Sequence, residues 1–205
     1  MTTAIVNDHY LVERLRAERA ATGADRYDEV WEGVYIMSPI ANNEHQELIA
    51  FLTEVLGEIV RRGRLGIVLP GTNITDREDD WTQNYRVPDV AVFLNSTRAQ
   101  NRGTHWLGGP DFGIEIVSPD DNSHEKIPFY ESVNTRELLI LDRDPWSLEM
   151  FRLEAGQLLS AGKVVPNDPN SVVSGIVGLT FQLVSADERP GLIVKHSVSD
   201  KEWRE

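Results

Sequence analysis

Residues 87–94 have the sequence Val87-Pro88-Asp89-Val90-Ala91-Val92-Phe93-Leu94, an apolar stretch that contains a single acidic residue. Two similar stretches follow it, residues 112–117 with Glu115 as the one acid, and residues 137–142 with acids only at the two ends. Short, nearly continuous apolar stretches are typical of strands that are buried on both faces of a sheet. The three stretches therefore predict an α/β fold in which helices flank a central mixed sheet.

The segments around these strands complete the predicted architecture. Residues 43–62 place apolar side chains at three- and four-residue steps, which indicates a helix that packs one broad face against the sheet. A weaker helical pattern covers residues 8–21, and residues 27–37 have the composition of two strands joined by a turn. After residue 167 the chain contains short β-like pieces, and we expect its polar end, 200–205, to be loose.

Length and composition indicate an ordinary globular chain. The 205 residues suffice for one domain, which at this size buries roughly 70% of its unfolded surface. The absence of Cys excludes a disulfide framework, a thiol nucleophile and a Cys-ligated metal site. The sequence contains no apolar run of the ~20 residues that a membrane span needs, and its N-terminus lacks a secretory pattern. We therefore expect a cytoplasmic protein without a membrane partner.

The charge balance argues against nonspecific binding of nucleic acid. The chain has 20 Lys and Arg against 33 Asp and Glu, a net charge of −13, and only four of the basic residues are Lys. The long-range electrostatic field of this net negative charge repels polyanions, whereas nonspecific DNA-binding proteins normally carry a net positive charge. DNA is therefore a disfavoured partner unless a local site, for example one with a bound metal ion, reverses the charge.

Asp89 and Glu115 are the first candidates for chemistry because each interrupts an apolar strand. If the two carboxylates share one face of neighbouring strands, they repel by about 4 kcal/mol at ~4 Å and an effective dielectric constant of ~20. A divalent cation removes that repulsion, and hard oxygen ligands favour Mg²⁺ or Mn²⁺. The alternative interpretation is that each acid faces water on a half-exposed strand.

Lys126 is the third candidate. It follows Glu115 by eleven residues, and Tyr130 lies four residues further on, so the two share a face if the segment is helical. A lysine beside a metal ion and a phosphate can position the attacking water or stabilise developing negative charge. Since Pro128 fits only the first turn of a helix, we expect this helix to begin near Ile127. Alternatively, Lys126 is simply a solvated lysine.

Taken in order, these residues resemble the PD-(D/E)XK nuclease superfamily, and within it a bacterial family described as putative restriction endonucleases. The resemblance covers roughly residues 10–155, and the ordered set is more specific than any single motif. The matching stretches are the hairpin Tyr27–Pro39 with Glu32-Gly33, then His45, Val87-Pro88-Asp89-Val90, Glu115-Ile116-Val117-Ser118-Pro119, Lys126-x-x-x-Tyr130 and the strand Glu137–Asp142.

The resemblance implies a metal-dependent enzyme that hydrolyses phosphodiester bonds of DNA. Asp89 and Glu115 would bind Mg²⁺ or Mn²⁺, assisted by the backbone carbonyl of Ile116. Lys126 would be the catalytic lysine, because the position two residues after Glu115, where other branches have it, is a valine. The resemblance also implies a restriction-endonuclease-like core over about residues 24–155 and a β-rich extension over about 156–198, within a single domain 1–205.

Secondary roles near the site are implied for Glu32, Tyr130 and His45. Glu32 would join from the hairpin, directly or through a metal-bound water, although an acid before Gly33 is also an ordinary turn residue. His45 would be a ligand or base, although a lone helix histidine is more often a half-buried structural residue.

Two other function classes stay open at this level. The short segment between Ser118-Pro119 and Lys126, together with Pro128, favours a catalytically inactive nuclease-fold module for binding or assembly. Asp89 and Glu115 alone would also suit the acid pair of a glycoside hydrolase. Dependence on a divalent metal separates these classes. We also expect a homodimer, because the apolar pieces of residues 145–185, with Trp146, exceed what the core needs.

Overall fold

The computed structural model describes residues 4–6, 9–38, 41–117 and 123–205. Among these, three α-helices are present: α1 (His9–Thr22), α2 (Asn43–Leu56) and α3 (Ile127–Ser132). The strands are β1 (Ala4–Val6), β2 (Glu29–Trp31), β3 (Val34–Met37), β4 (Gly66–Pro70), β5 (Ile74–Thr75), β6 (Tyr85–Arg86), β7 (Val90–Leu94), β8 (Gln100–Asn101), β9 (Trp106–Leu107), β10 (Phe112–Ile116), β11 (Glu137–Arg143), β12 (Trp146–Glu154), β13 (Gln157–Val164), β14 (Val172–Ser174), β15 (Leu179–Val184), β16 (Gly191–His196) and β17 (Glu202–Arg204).

A central six-stranded sheet has the order β13-β12-β11-β10-β7-β4. Strands β10 and β11 are parallel, while their neighbours pair antiparallel, so the sheet is mixed. It contains all three apolar stretches that the sequence singled out. The prediction of an α/β fold with a central mixed sheet is thereby confirmed.

At its inner strands β7, β10 and β11, the central sheet is buried on both faces, as the apolar stretches predict. On β7, Val90 and Val92 point to one core cluster, while Ala91 and Phe93 point to the other. Helix α2 and a four-stranded sheet of order β14-β15-β16-β17 cover the first face. Helix α3 and part of a seven-stranded sheet, of order β1-β3-β2-β6-β5-β9-β8, cover the second. This layering explains why those strands contain so few polar residues.

Helix α2 is shorter than its sequence pattern predicts. It begins after Asn42, whose side chain accepts a hydrogen bond of 2.9 Å from the backbone N–H of His45. The α-helical part ends at Leu56, and residues Gly57–Arg61 continue as a π-helical turn. The cap matters for function because it places His45 in the first turn, at the end of the helix nearest Asp89.

The C-terminal end is ordered, contrary to the expectation that it is loose. Residues Glu202–Arg204 form β17, which pairs with β16. Trp203 packs against the main core cluster and its indole donates a hydrogen bond of 3.0 Å to Glu58. The packing of Trp203 and the pairing with β16 order this segment despite its polar composition. Both contacts are made with distant parts of the chain, so the local sequence of residues 200–205 does not reveal them.

Most of the large apolar side chains of residues 145–185 pack inside the chain. Leu148, Met150, Phe181 and Leu183 belong to the main core cluster, and Trp146 packs against it under Arg189. Much of the apolar surface that motivated the homodimer is therefore already covered, while Leu159, Val165 and Val173 remain exposed. Self-association itself stays a prediction. No helix among the described residues is long and apolar enough to cross a membrane.

Candidate active site

The pairing of β7 with β10 brings the two predicted carboxylates together. Gly113 lies opposite Ala91 and Ile114 opposite Val90, so one further step in this register places Glu115 opposite Asp89. Directly opposed residues of antiparallel strands point to the same face, with Cβ atoms about 5 Å apart. Asp89 stands just before β7 rather than inside it, because the strand begins at Val90.

Asp89 is held at the end of the sheet by two hydrogen bonds. Its Oδ2 accepts the backbone N–H of Ile116 at 2.7 Å, and its Oδ1 lies 2.8 Å from Nε2 of His45. Within an extended strand, the N–H and the carbonyl of one residue point to the same side. The carbonyl of Ile116 therefore points toward the side of the strand on which Asp89 lies.

Glu115 is buried, with a side chain that is 2% exposed, and two residues of the following helix segment bind it. The Tyr130 hydroxyl donates a short hydrogen bond to Oε1, and the Lys126 ammonium lies 3.0 Å from Oε2. Lys126 is the residue that immediately precedes α3, and Pro128 sits in the first turn. The helix begins at Ile127, as the position of the proline predicts.

Glu29, which no sequence pattern singled out, is the hairpin acid that reaches this cluster. Its Oε1 lies 3.0 Å from the Lys126 ammonium and also accepts the backbone N–H of Val87 at 2.8 Å. The indole of Trp31 donates to its other oxygen at 2.7 Å. The rule that selected Asp89, an acid within an apolar strand, could have found Glu29, but Asp28 beside it obscures the pattern.

Glu32 does not lie in this cluster. It occupies the hairpin turn with a positive φ of 48°, its side chain is 69% exposed, and it pairs with Arg77 at 2.6 Å. The expectation that Glu32 joins the site is corrected, since the side chain of this turn residue is exposed and pairs with Arg77. The hairpin contributes Glu29 instead, because strand β2 directs that side chain toward Lys126. Glu32 is the ordinary turn acid of the alternative interpretation.

The cluster concentrates negative charge in a buried place. Burial raises the pKa of Glu115 to about 8, the nearby Lys126 opposes that rise, and the charges of Asp89 and Glu29 add to it. Burial, with the charges of Glu115 and Glu29, raises the pKa of the Tyr130 hydroxyl well above its ordinary value, so Tyr130 remains a hydrogen-bond donor. Protonating Glu115 or adding a cation would each relieve the repulsion.

The donor set suits a hard divalent cation. Asp89 and Glu115 supply carboxylate oxygens, each of which keeps a second lone pair beside its present hydrogen bond, and Ile116 supplies a carbonyl. Within the described ranges, no group of three or more His, Cys, Asp and Glu residues is arranged to hold a metal ion. Mg²⁺ needs no such cage, since it is usually bound by one or two carboxylates together with waters and substrate phosphates.

Part of the predicted motif falls outside the described residues. Ser118-Pro119 and the turn that follows them up to Asn122 belong to the undescribed segment, as does Pro39 at the end of the hairpin. The described part of the site therefore consists of the acids Asp89, Glu115 and Glu29 together with Ile116, His45, Lys126 and Tyr130.

The architecture is that of a restriction-endonuclease-like protein, with a mixed sheet, two opposed acids at its end and a lysine just before the next α-helix. A family model described as "Uma2: Putative restriction endonuclease" matches residues 13–184. Because this match spans most of the chain, the protein belongs to that family.

One solved structure illustrates the same fold. It is described as a "putative nuclease belonging to DUF820" from Anabaena variabilis ATCC 29413, and it superposes with a TM-score of 0.58 at 21% sequence identity. The alignment covers 73% of this chain and 83% of that chain. At this identity the similarity concerns the fold. No curated protein matches the sequence.

Proposed function

We propose that this protein is a divalent-metal-dependent nuclease that hydrolyses phosphodiester bonds of DNA. The observation that supports it most is the opposition of Asp89 and Glu115 at the end of β7 and β10, with Lys126 on the same Glu115 carboxylate. Membership of a family described as "Putative restriction endonuclease" supports the same chemistry. Such families usually depend on a divalent metal.

Asp89, Glu115 and the carbonyl of Ile116 would hold Mg²⁺ or Mn²⁺. When bound, the metal supplies charge neutralisation at the phosphate and lowers the pKa of a coordinated water. Asp89 is oriented for this role by the N–H of Ile116 and by His45, while the Tyr130 hydroxyl orients Glu115. His45 and Tyr130 are thus positioning residues in this proposal.

Lys126 would act on the substrate. The residue is 8% exposed, and its amine nitrogen lies between the carboxyl groups of Glu29 and Glu115. A buried cation beside the reacting phosphate stabilises the negative charge that develops on phosphate oxygens. Glu29 is the second carboxylate that holds this ammonium in place.

The net charge of −13 is compatible with DNA only through this local site. Repulsion from the rest of the surface weakens encounter with a polyanion, and screening by salt reduces that repulsion. Cleavage should therefore require the metal ion, and it should tolerate moderate salt better than the activity of a basic nuclease does.

The test uses the full chain with supercoiled DNA, linear DNA and RNA, in Mg²⁺, Mn²⁺ or EDTA. We expect cleavage of DNA that EDTA abolishes and that Asp89→Asn, Glu115→Gln and Lys126→Met each remove. Glu125→Gln is the matched control, since Glu125 is exposed beside Lys126. Metal binding without cleavage of any substrate would favour the inactive binding module, and cleavage that survives EDTA would refute the proposal.

A further inference from the structure

Arg86 is a buried cation next to the candidate site. It ends β6, three residues before Asp89, and it is 6% exposed. Its guanidinium lies 4.5 Å from the ring centre of Trp31 on β2 and 4.4 Å from that of Phe129 on α3. The planar group therefore contacts an aromatic ring of each of the two elements that supply Glu29 and Tyr130.

The hydrogen bonds of Arg86 tie it to the hairpin side of the site. Nη1 donates to the carbonyl of Val30 at 2.9 Å and to Oδ1 of Asn84 at 3.1 Å. It also donates to the carbonyl of the preceding residue, Tyr85, at 3.1 Å. Val30 is adjacent to Glu29, and Glu29 itself accepts the N–H of Val87, the residue after Arg86. Arg86 thus binds the residue after Glu29, while the residue after Arg86 binds Glu29 itself.

Stability alone does not account for a charge in this place. Among the described residues, no carboxylate forms an ion pair with Arg86, and its buried Nε has no hydrogen-bond partner. A buried cation without a paired anion costs free energy, and an apolar side chain of similar volume would fill the space between two rings at lower cost. Burial accordingly lowers the pKa of Arg86, while the field of Glu29 is the largest effect that opposes this.

We propose that Arg86 is a positioning residue that holds β2 and α3 at the separation at which Glu29 meets Lys126. Its planar fork joins the Trp31 ring, the Phe129 ring and the Val30 carbonyl in one arrangement, which a flexible ammonium cannot reproduce. The role of the Glu29–Lys126 pair in catalysis rests on the proposed function. The positioning itself does not, since it can be measured in the absence of any substrate.

The experiment is a double-mutant cycle on Glu29 and Lys126, repeated in three backgrounds. Urea unfolding of the full chain is measured for Glu29→Gln, Lys126→Met, the double variant and the parent, first with Arg86 and then with Arg86→Met and Arg86→Lys. A merely structural arginine would lower the stability of all four proteins alike and leave the coupling between the two residues unchanged. We expect the coupling to be lost with Arg86→Met and reduced, without being abolished, with Arg86→Lys.

Two controls make the outcome specific. The pair Glu58–Lys201, at 2.6 Å on the α2 side of the molecule, should keep its coupling in every background. Arg152→Met, which removes an arginine bound to Glu137 elsewhere in the sheet, should leave the Glu29–Lys126 coupling unchanged. An unchanged coupling with Arg86→Met overturns the proposal. If that variant does not fold, wild-type coupling with Arg86→Lys overturns it instead. Failure to cleave DNA would bear only on the proposed function.

Discussion

The ammonium nitrogen of Lys126 lies 3.0 Å from Oε2 of Glu115 and 3.0 Å from Oε1 of Glu29, so one cation joins two buried carboxylates. Glu115 comes from the central sheet and Glu29 from the hairpin, while Lys126 immediately precedes the short helix α3. This single contact set links three separate parts of the chain. It also means that Lys126 contributes to the stability of the metal-free protein as well as to any catalysis.

Replacing Lys126 by Met should destabilise the protein in the absence of metal. Removing one member of a buried charge set leaves the other uncompensated, which costs about 3–5 kcal/mol, reduced here if Glu115 takes up a proton. Urea unfolding checks this, with Glu125→Gln as the control. We expect Mg²⁺ to stabilise the variant at least as much as the wild type, because no ammonium then competes for Glu115. A variant as stable as the wild type would show that the buried ion pair is not formed in solution.

Metal-free stability should fall as the pH rises from about 5 to about 8.5. The folded-state pKa of Glu115 is raised to about 8 from an ordinary value of 4.5. The folded state therefore binds a proton that the unfolded state has already lost, and that stabilisation, present below 4.5, disappears as the pH passes through the raised value. One such group changes the unfolding free energy by at most about 1.4 kcal/mol per pH unit.

The measurement compares melting temperatures of the wild type and Glu115→Gln across this range in EDTA. The variant should show a smaller decline, because its amide does not titrate. Parallel curves for the two proteins would mean that Glu115 is already ionised in the folded state at low pH.

Asp89→Asn should abolish stabilisation by Mg²⁺ or Mn²⁺ while leaving the metal-free fold intact. The asparagine oxygen can still accept the N–H of Ile116, and loss of one negative charge relieves the repulsion of Glu115. Ligand binding raises stability by mass action, so the wild-type melting temperature should increase with metal concentration. Differential scanning calorimetry at millimolar metal tests both halves. A metal response that persists in Asp89→Asn would exclude this carboxylate as a ligand.

Glu137→Ala should destabilise the protein at the four-stranded sheet β14-β15-β16-β17 without affecting its stabilisation by Mg²⁺. The buried Glu137 carboxylate accepts hydrogen bonds from the Ser174 hydroxyl at 2.5 Å and from the backbone N–H groups of Gly175 and Ile176 at 3.2 and 3.3 Å. Hydrogen bonds to charged groups contribute about 1.5–3 kcal/mol each when partners are left buried, so we expect a loss of several kcal/mol. Urea unfolding measures the loss, and calorimetry should show an unchanged shift with Mg²⁺. A metal response that falls together with stability would mean that the two regions are coupled.

Local patterns were sufficient to predict the central sheet, since a strand buried on both faces must be apolar almost throughout. The same pattern singled out Asp89 and Glu115, because an acidic side chain is unexpected in an apolar stretch that is buried on both faces. Pro128 likewise predicted where α3 begins, since its ring is tolerated only in the first turn of a helix. These features depend on residues within one short segment, and the sequence of that segment contains the information.

Features that depend on distant segments were decided by the tertiary structure. Glu29 rather than Glu32 meets Lys126, because the path of the hairpin against α3 determines which acid faces inward. Trp203 orders a C-terminal end whose composition suggests disorder, because an edge of β16 is there to pair with it. The sequence alone determined which strands form the core and which two acids stand out in it. Only packing between segments far apart in the chain decided which side chains surround those acids, since side-chain direction depends on the surfaces that each element meets.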